Sequence, residues 1–89
     1  MAATKQAYIQ PFDPRPAQDR LADHLRRELS RPENADAVLP PERRLAGQMH
    51  VARETLKKAL HQLRTENAIR SVPGSGWQVR PWADWLVRP

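Results

Sequence analysis

The sequence predicts a mainly α-helical fold with three helices and a small two-stranded β-hairpin. Apolar residues recur at helical spacing in three segments between residues 17 and 66. Apolar and polar residues then alternate over residues 68–72 and 76–80, and a Pro-Gly-Ser turn lies between those two stretches. Only a short turn separates the second helix from the third. This order of elements is that of a winged helix-turn-helix.

The chain has 89 residues, which is room for one small domain around a single hydrophobic core. We expect an N-terminal arm at residues 1–15, the winged helix-turn-helix at 16–80 and a tryptophan-containing C-terminal tail at 81–89. The sequence has no apolar stretch long enough to cross a bilayer, and its first ten residues lack the apolar core of a signal peptide. We therefore expect a cytoplasmic protein with no membrane partner.

Several kinds of chemistry have no support in the sequence. The chain contains no cysteine, which excludes disulfides and thiolate metal sites. Its three histidines are scattered, without the spacing of a zinc site. The sequence also shows no arrangement of nucleophile and base and no phosphate-binding glycine-rich loop. We therefore expect no metal, no cofactor and no enzymatic activity.

The first helix is predicted over residues 17–30, because Leu21, Leu25 and Leu29 recur every fourth residue and form an apolar stripe. Charges of both signs on its other faces indicate a supporting helix. Three prolines among residues 11–16 exclude a regular helix before it. Apolar residues of the arm are expected to pack as an extended segment or short strand; they are Tyr8, Ile9 and Phe12.

The second helix is predicted from Pro41 to Met49, and a turn centred on His50 and Val51 follows it. Gly47 lies inside this helix and costs up to about 1 kcal/mol of helix propensity. A close contact with another helix would explain the glycine.

The third helix is predicted over residues 52–66 and has the longest amphipathic pattern in the chain. Its apolar residues gather on one side at about 100° per residue; they are Leu56, Ala59, Leu60 and Leu63. The opposite side is polar and mostly basic, with Arg53, Glu54, Lys57, Lys58, His61 and Arg64. Glu54 is expected to pair with Lys58 four residues later; the alternative is that it accepts a hydrogen bond from cytosine N4.

The hairpin and the tail complete the predicted fold. Asn67 suits a left-handed C-cap after the third helix, and the glycines at the hairpin tip supply positive φ angles. Trp77 and Val79 are expected to face the core. In the tail, two tryptophans three residues apart are expected to share a helical face and to cover the core or contact a second subunit; these are Trp82 and Trp85, with Leu86 beside them.

The positive charge of the chain is concentrated in its second half. Residues 1–41 carry six basic and six acidic side chains, whereas residues 42–89 carry nine basic and four acidic ones. All of the net charge of +5 therefore lies in the half that contains the predicted helix-turn-helix and hairpin. A basic surface on such an element favours a polyanionic partner.

The run from Leu39 to Val79 resembles the DNA-binding domain of the GntR family of bacterial transcription regulators. With the preceding helix, the resemblance covers residues 16–79. Matching positions occur in the second helix, the third helix and the hairpin: Leu39, Pro40, Glu42, Arg43, Leu45, Ala46, Val51, Arg53, Thr55, Lys57, Ala59, Leu60, Leu63, Glu66, Ile69, Gly74, Gly76 and Val79. The chain departs from the family pattern at Pro41 and Ala52 (serine in the family), at His50 and Asn67 (glycine), and at Trp77 and Gln78 (threonine and an aromatic residue).

The resemblance implies that double-stranded DNA is bound by the second helix, the third helix and the hairpin tip. The residues implied to contact DNA are Arg43, Arg44, Arg53, Thr55, Lys57, Lys58, Gly74 and Ser75. Arg53 is the best candidate for reading bases, because arginine can bond guanine O6 and N7 together. Arg44 and Lys58 are expected to clamp the phosphate backbone. For Arg43 the alternative is an ion pair with a carboxylate inside the domain.

The resemblance thus implies a sequence-specific transcription regulator, a repressor, that binds a pseudo-palindromic operator as a homodimer. Typical family members carry a C-terminal effector domain. This chain ends about ten residues after the hairpin, so it is expected to be either an excised DNA-binding domain or a compact regulator without an effector domain, and no small-molecule effector is expected to bind this chain. The alternatives are a winged-helix protein-interaction module and a nonspecific DNA-binding accessory protein.

Overall fold

Three helices and one hairpin form the domain in the order that the sequence predicts. The structure is a computed structural model that describes residues 5–9 and 20–89. Its helices are α1 (Leu21–Leu29), α2 (Glu42–Met49) and α3 (Arg53–Thr65), and its strands are β1 (Ile69–Val72) and β2 (Gly76–Val79). Short 3₁₀ turns lie at Pro32–Asn34 and Trp82–Asp84. The mainly helical winged helix-turn-helix is confirmed. None of the helices in the described part of the chain has the length and apolar character to cross a bilayer.

The helix bounds follow from backbone conformations at the N-caps. Pro41 and Ala52 have extended ψ angles of 144° and 148°, so α2 begins at Glu42 and α3 at Arg53, one residue later than predicted. The predicted start of the first helix at Ala17 lies outside the described residues, as does Phe12. At the other end of α3, Asn67 has a φ of 65°, which confirms the left-handed C-cap.

The core lies where α3 packs against α1 on one side and α2 on the other. The leucine stripe of α1 is fully buried, and so is the predicted apolar side of α3. β1 runs antiparallel to β2, with Ile69 opposite Val79, and both side chains are buried. Because α3 contacts α1, α2 and β1, the core fixes its long axis relative to the rest of the domain.

The linker before α2 and the N-terminal arm extend the hairpin on one side. Val38 bridges Gln78 of β2 in the antiparallel sense and Gln6 of the arm in the parallel sense. The buried Asn34 side chain accepts a hydrogen bond from the Tyr8 N–H at 2.9 Å and donates one to the Tyr8 carbonyl at 2.8 Å. Ile9 is buried in the core. Residues 5–9 of the arm therefore pack as an extended segment with Ile9 buried, as predicted, but the expected packing of Tyr8 is wrong because this residue is 63% exposed.

Two predictions of packing are wrong. Gly47 is exposed, and a Cβ atom added there would meet nothing within 4 Å, so no helix approaches it. Trp82 and Trp85 do not share a face, since Trp82 is 48% exposed and Trp85 only 3%; the expected packing on the core is nevertheless confirmed for Trp85. The chain makes a single 3₁₀ turn that ends at Asp84, and extended backbone then turns Trp85 into the core, where its Nε1 donates to the Arg80 carbonyl at 2.9 Å.

A buried ion pair joins α1 to the end of α3. The guanidinium of Arg26 donates from Nε and Nη2 to the two carboxylate oxygens of Glu66, both at 2.8 Å. Arg26 also pairs with Asp23, and Gln62 donates to Glu66 at 3.1 Å. The hydrogen bond to Glu66 raises the pKa of Arg26, and Asp23 adds to that effect, against the opposing effect of burial. The Arg26 guanidinium therefore keeps its positive charge in this buried site.

His50 occupies a left-handed backbone conformation in the turn between α2 and α3, with a φ of 57° and a ψ of 41°. In this conformation the Cβ atom of an L residue comes too close to the backbone carbonyl oxygen. Glycine has no Cβ atom and therefore adopts it without that cost. We expect His50→Gly to raise the free energy of unfolding by about 0.5–1 kcal/mol, measured by urea denaturation. Gln48→Gly is the control, because glycine inside α2 is expected to destabilise the domain by about 1 kcal/mol. Destabilisation by both variants would contradict the argument.

Candidate nucleic-acid interface

The first turn of α3 presents basic side chains to solvent. Arg53 is the first residue of the helix and is exposed. Lys57 follows four residues later, about 40° away around the helix axis, so both lie on one face. The N-cap residue Ala52 makes no side-chain hydrogen bond, so no cap side chain satisfies the N–H groups of this first turn. Cations and free N–H donors at one helix end suit an anionic partner.

The remaining candidates on α3 differ in exposure. Lys58 is exposed, whereas Thr55 is only half-exposed at the edge of the buried stripe. Glu54 lies 3.8 Å from the Nζ of Lys57, so the predicted pair with Lys58 is wrong. The side chains of Glu54 and Lys57 are 81% and 50% exposed, and such a surface pair contributes little. The Glu54 carboxylate therefore leaves both Lys57 and Lys58 available to bind an anionic partner.

The start of α2 adds two more cations. Arg43 and Arg44 lie in its first turn and are both exposed. The helix buries Leu45, Ala46 and Met49 against the core, which turns its arginines outward. Among residues 5–9 and 20–89, no carboxylate forms an ion pair with Arg43, so the expected alternative of an internal pair has no support there.

The hairpin tip is a tight turn that exposes its backbone. The Ser75 N–H donates to the Val72 carbonyl at 2.9 Å, and Gly74 between them has a φ of 77°. Pro73 precedes that glycine, which is the residue pattern of a type II turn. The tip shares a cleft of about 380 Å³ with Pro41 and Glu42 at the start of α2. The structure therefore places the tip across a cleft from Glu42, the residue that directly precedes Arg43.

Charge pairing divides the cations of the domain into two groups. Ion pairs among the described residues involve Arg26, Arg31, Arg80 and, through the exposed pair with Glu54, Lys57. Within the described part of the chain, four of the predicted DNA-contacting cations have no ion-pair partner; these are Arg43, Arg44, Arg53 and Lys58. Most of the cations predicted to contact DNA on α2 and α3 are thus unpaired within the described residues. No group of described residues has the composition of a metal site.

One contact of the site was missed from the sequence. The Nε1 of Trp77 donates a hydrogen bond to the Glu42 carboxylate at 3.0 Å. The ring also packs against the core, as predicted. The sequence does show a tryptophan at this position, where the family pattern has threonine. Its hydrogen-bond partner is 35 residues away in the chain, so the sequence alone does not indicate which residue it contacts.

Comparisons with known proteins agree with this geometry. The family model of bacterial regulatory proteins of the gntR family matches residues 17–79. Six chains of solved structures match, among them a transcriptional regulator from Oenococcus oeni with 27% sequence identity and a TM-score of 0.65. That match covers 81% of this chain and 61% of the Oenococcus chain, so this chain spans less than two thirds of that regulator's length. No curated protein sequence matches.

The match to the family model includes all three helices and both strands. It therefore also contains every residue predicted to contact DNA. The chain belongs to the GntR family of bacterial regulatory proteins, and its winged helix-turn-helix is a DNA-binding domain of a transcription regulator.

Proposed function

We propose that this domain binds a specific double-stranded DNA operator in the bacterial cytoplasm and represses transcription from it. The observation that carries the proposal is the set of exposed cations at the starts of α2 and α3 that form no ion pair with any described residue; these are Arg43, Arg44 and Arg53. Charges that are already exposed and unpaired lose no internal partner on binding, and each can neutralise a phosphate and release a counterion.

Residue roles follow from how a recognition helix enters DNA. Its N-terminal residues come nearest to the base edges of the major groove, so Arg53 reads a base while Thr55 and Lys57 contact bases or phosphates. Arg44 and Lys58 bind phosphates and fix the register without specifying sequence. Arg43 contacts DNA from the start of α2. The hairpin tip reaches the adjacent minor groove through Gly74 and Ser75.

Repression follows from occupancy, since a protein bound to a promoter excludes polymerase. Helix-turn-helix proteins place two copies on half-sites whose symmetry matches that of the protein dimer. We therefore propose that two copies of the chain occupy a pseudo-palindromic operator, with half-sites about one helical turn apart.

A binding selection on randomised duplex DNA tests the proposal, with the enriched sequences titrated at two salt concentrations. We expect an inverted repeat to be enriched. Salt-dependent binding without an enriched motif would indicate a nonspecific DNA-binding protein instead. No binding at either salt concentration would overturn the proposal and favour a protein-interaction module.

Lys58→Ala is expected to weaken binding to the selected duplex and to random DNA by the same factor. The reason is that a lysine on a phosphate carries no sequence information. Loss of one phosphate contact should also lower the slope of log K against log salt by about 1. Titration of both duplexes over a salt series measures both effects. Arg27→Ala, an exposed arginine on the supporting helix α1, is the control and should change neither. An unequal loss on the two duplexes would assign Lys58 to base readout.

A further inference from the structure

A hydrogen bond between side chains links the hairpin to the start of α2. The indole Nε1 of Trp77 lies 3.0 Å from a carboxylate oxygen of Glu42, and both residues are half-buried. The acceptor is a carboxylate oxygen at a half-buried position, and such a bond is screened by water less than one at a fully exposed site. The Trp77 ring packs against the core, so the donor itself is held in place.

The two residues lie next to the parts of the site that meet DNA under the proposed function. Glu42 is the first residue of α2 and directly precedes Arg43. Trp77 follows Gly76, the last residue of the hairpin tip, which has a φ of 83°. The Trp77 carbonyl also accepts a hydrogen bond from the Leu39 N–H at 2.9 Å. Backbone and side chain of one residue therefore attach β2 to the segment that leads into α2.

We infer that Glu42 and Trp77 are a positioning pair that fixes the hairpin tip relative to the arginines of α2; this inference rests on the proposed function. A tip with two glycines at positive φ has many accessible conformations, and ordering it on DNA costs conformational entropy. A pair that orders the tip in advance lowers that cost. It also engages the Glu42 carboxylate, one of the two carboxylates between residues 42 and 65.

A ring that only fills space would behave differently from a positioning residue. Phenylalanine keeps an aromatic ring at this position but has no N–H donor. Trp77→Phe therefore removes the hydrogen bond and keeps most of the packing. Trp82→Phe is the matched control, because Trp82 lies on the exposed tail and takes no part in the cleft.

The test measures DNA affinity and backbone exchange on the same variants. For Trp77→Phe we expect affinity for the selected duplex to fall roughly 3- to 10-fold, the scale of one ordinary intramolecular hydrogen bond. Protection of the minor groove at the tip should weaken, and the amides of residues 74–76 should exchange faster with solvent in the free protein. Glu42→Gln keeps an oxygen acceptor and should bind at least as well as the wild type, whereas Glu42→Ala should behave like Trp77→Phe.

The amide-exchange measurement needs no DNA, so the inference and the proposed function can fail separately. Unchanged exchange in Trp77→Phe would overturn the positioning pair even if the wild type selects an operator. Faster exchange with wild-type-like affinity and an unchanged footprint would overturn its effect on DNA binding. Absence of any selected motif for the wild type would overturn the proposed function and, with it, the inference.

Discussion

Replacing Arg26 with alanine is expected to lower the free energy of unfolding by about 3 kcal/mol. The side chains of Arg26 and Glu66 are 9% and 11% exposed, and two hydrogen bonds of 2.8 Å join them. Alanine would leave the Glu66 carboxylate in this site with Gln62 as its one remaining side-chain donor among the described residues. We place the loss at the low end of the range for a broken buried pair, because both side chains keep some contact with water.

The effect should be large for the whole domain because the pair joins distant parts of the chain. Arg26 and Glu66 are 40 residues apart, and the Glu66 carbonyl also accepts the Leu86 N–H at 2.8 Å. Glu66, which follows the last residue of α3, therefore contacts both α1 and the C-terminal segment. In a domain of this size, about 3 kcal/mol is a large part of the total stability.

Urea denaturation of Arg26→Ala and Arg27→Ala measures this difference. Arg27 is the neighbouring exposed arginine on α1, and its removal should change the free energy of unfolding by less than about 0.5 kcal/mol. Replacing both partners of the pair, as Arg26→Met with Glu66→Leu, should recover most of the loss, because no charge is then left unpaired. Equal stabilities of the two alanine variants would show that the pair contributes nothing.

Local pattern predicted the elements of this fold well, since each element is specified by residues close together in the chain. The stripe of Leu56, Leu60 and Leu63 indicates α3, and the structure buries all three residues. Asn67 ends the helix in the left-handed conformation that its residue type favours. Both predictions depend on backbone and side-chain preferences that act within one or two turns.

Predictions that depended on tertiary packing were less successful. The contact expected at Gly47 required knowing which face of α2 meets a neighbour, and the glycine lies on the exposed face. Trp82 and Trp85 were expected on one helix, but backbone hydrogen bonds of the C-terminal segment to Glu66 and within the 3₁₀ turn hold them apart. The hydrogen bond between Glu42 and Trp77 joins residues that are 35 positions apart, so no local pattern in the sequence predicts it.

The candidate site was predictable because its members lie at helix starts and at a turn. The exposure of Arg43, Arg53 and Lys58 follows from which side of each helix is apolar. The half-exposure of Thr55 follows from the same geometry, because this residue lies at the edge of the apolar side of α3. Which of these residues touches a base and which a phosphate is set by DNA, and those roles stay predictions.

Arg53→Ala is expected to weaken binding to the selected operator roughly 10- to 100-fold, because a bidentate contact with guanine contributes about 1–3 kcal/mol of discrimination. Binding to random DNA should fall far less, by the effect of one charge. The expectation rests on the place of Arg53 as the first, exposed residue of α3, with no ion-pair partner among the described residues. Titration of both duplexes at one salt concentration measures the ratio.

Arg53→Lys separates the charge of the side chain from its shape. Lysine keeps the positive charge but lacks the planar fork that bonds guanine O6 and N7 together. We therefore expect Arg53→Lys to bind random DNA as the wild type does and to lose a substantial part of the preference for the operator. If Arg53→Ala instead weakens both duplexes equally and Arg53→Lys restores both, Arg53 binds a phosphate as Lys58 does. Sequence reading would then fall to the other residues of α3 and to the hairpin.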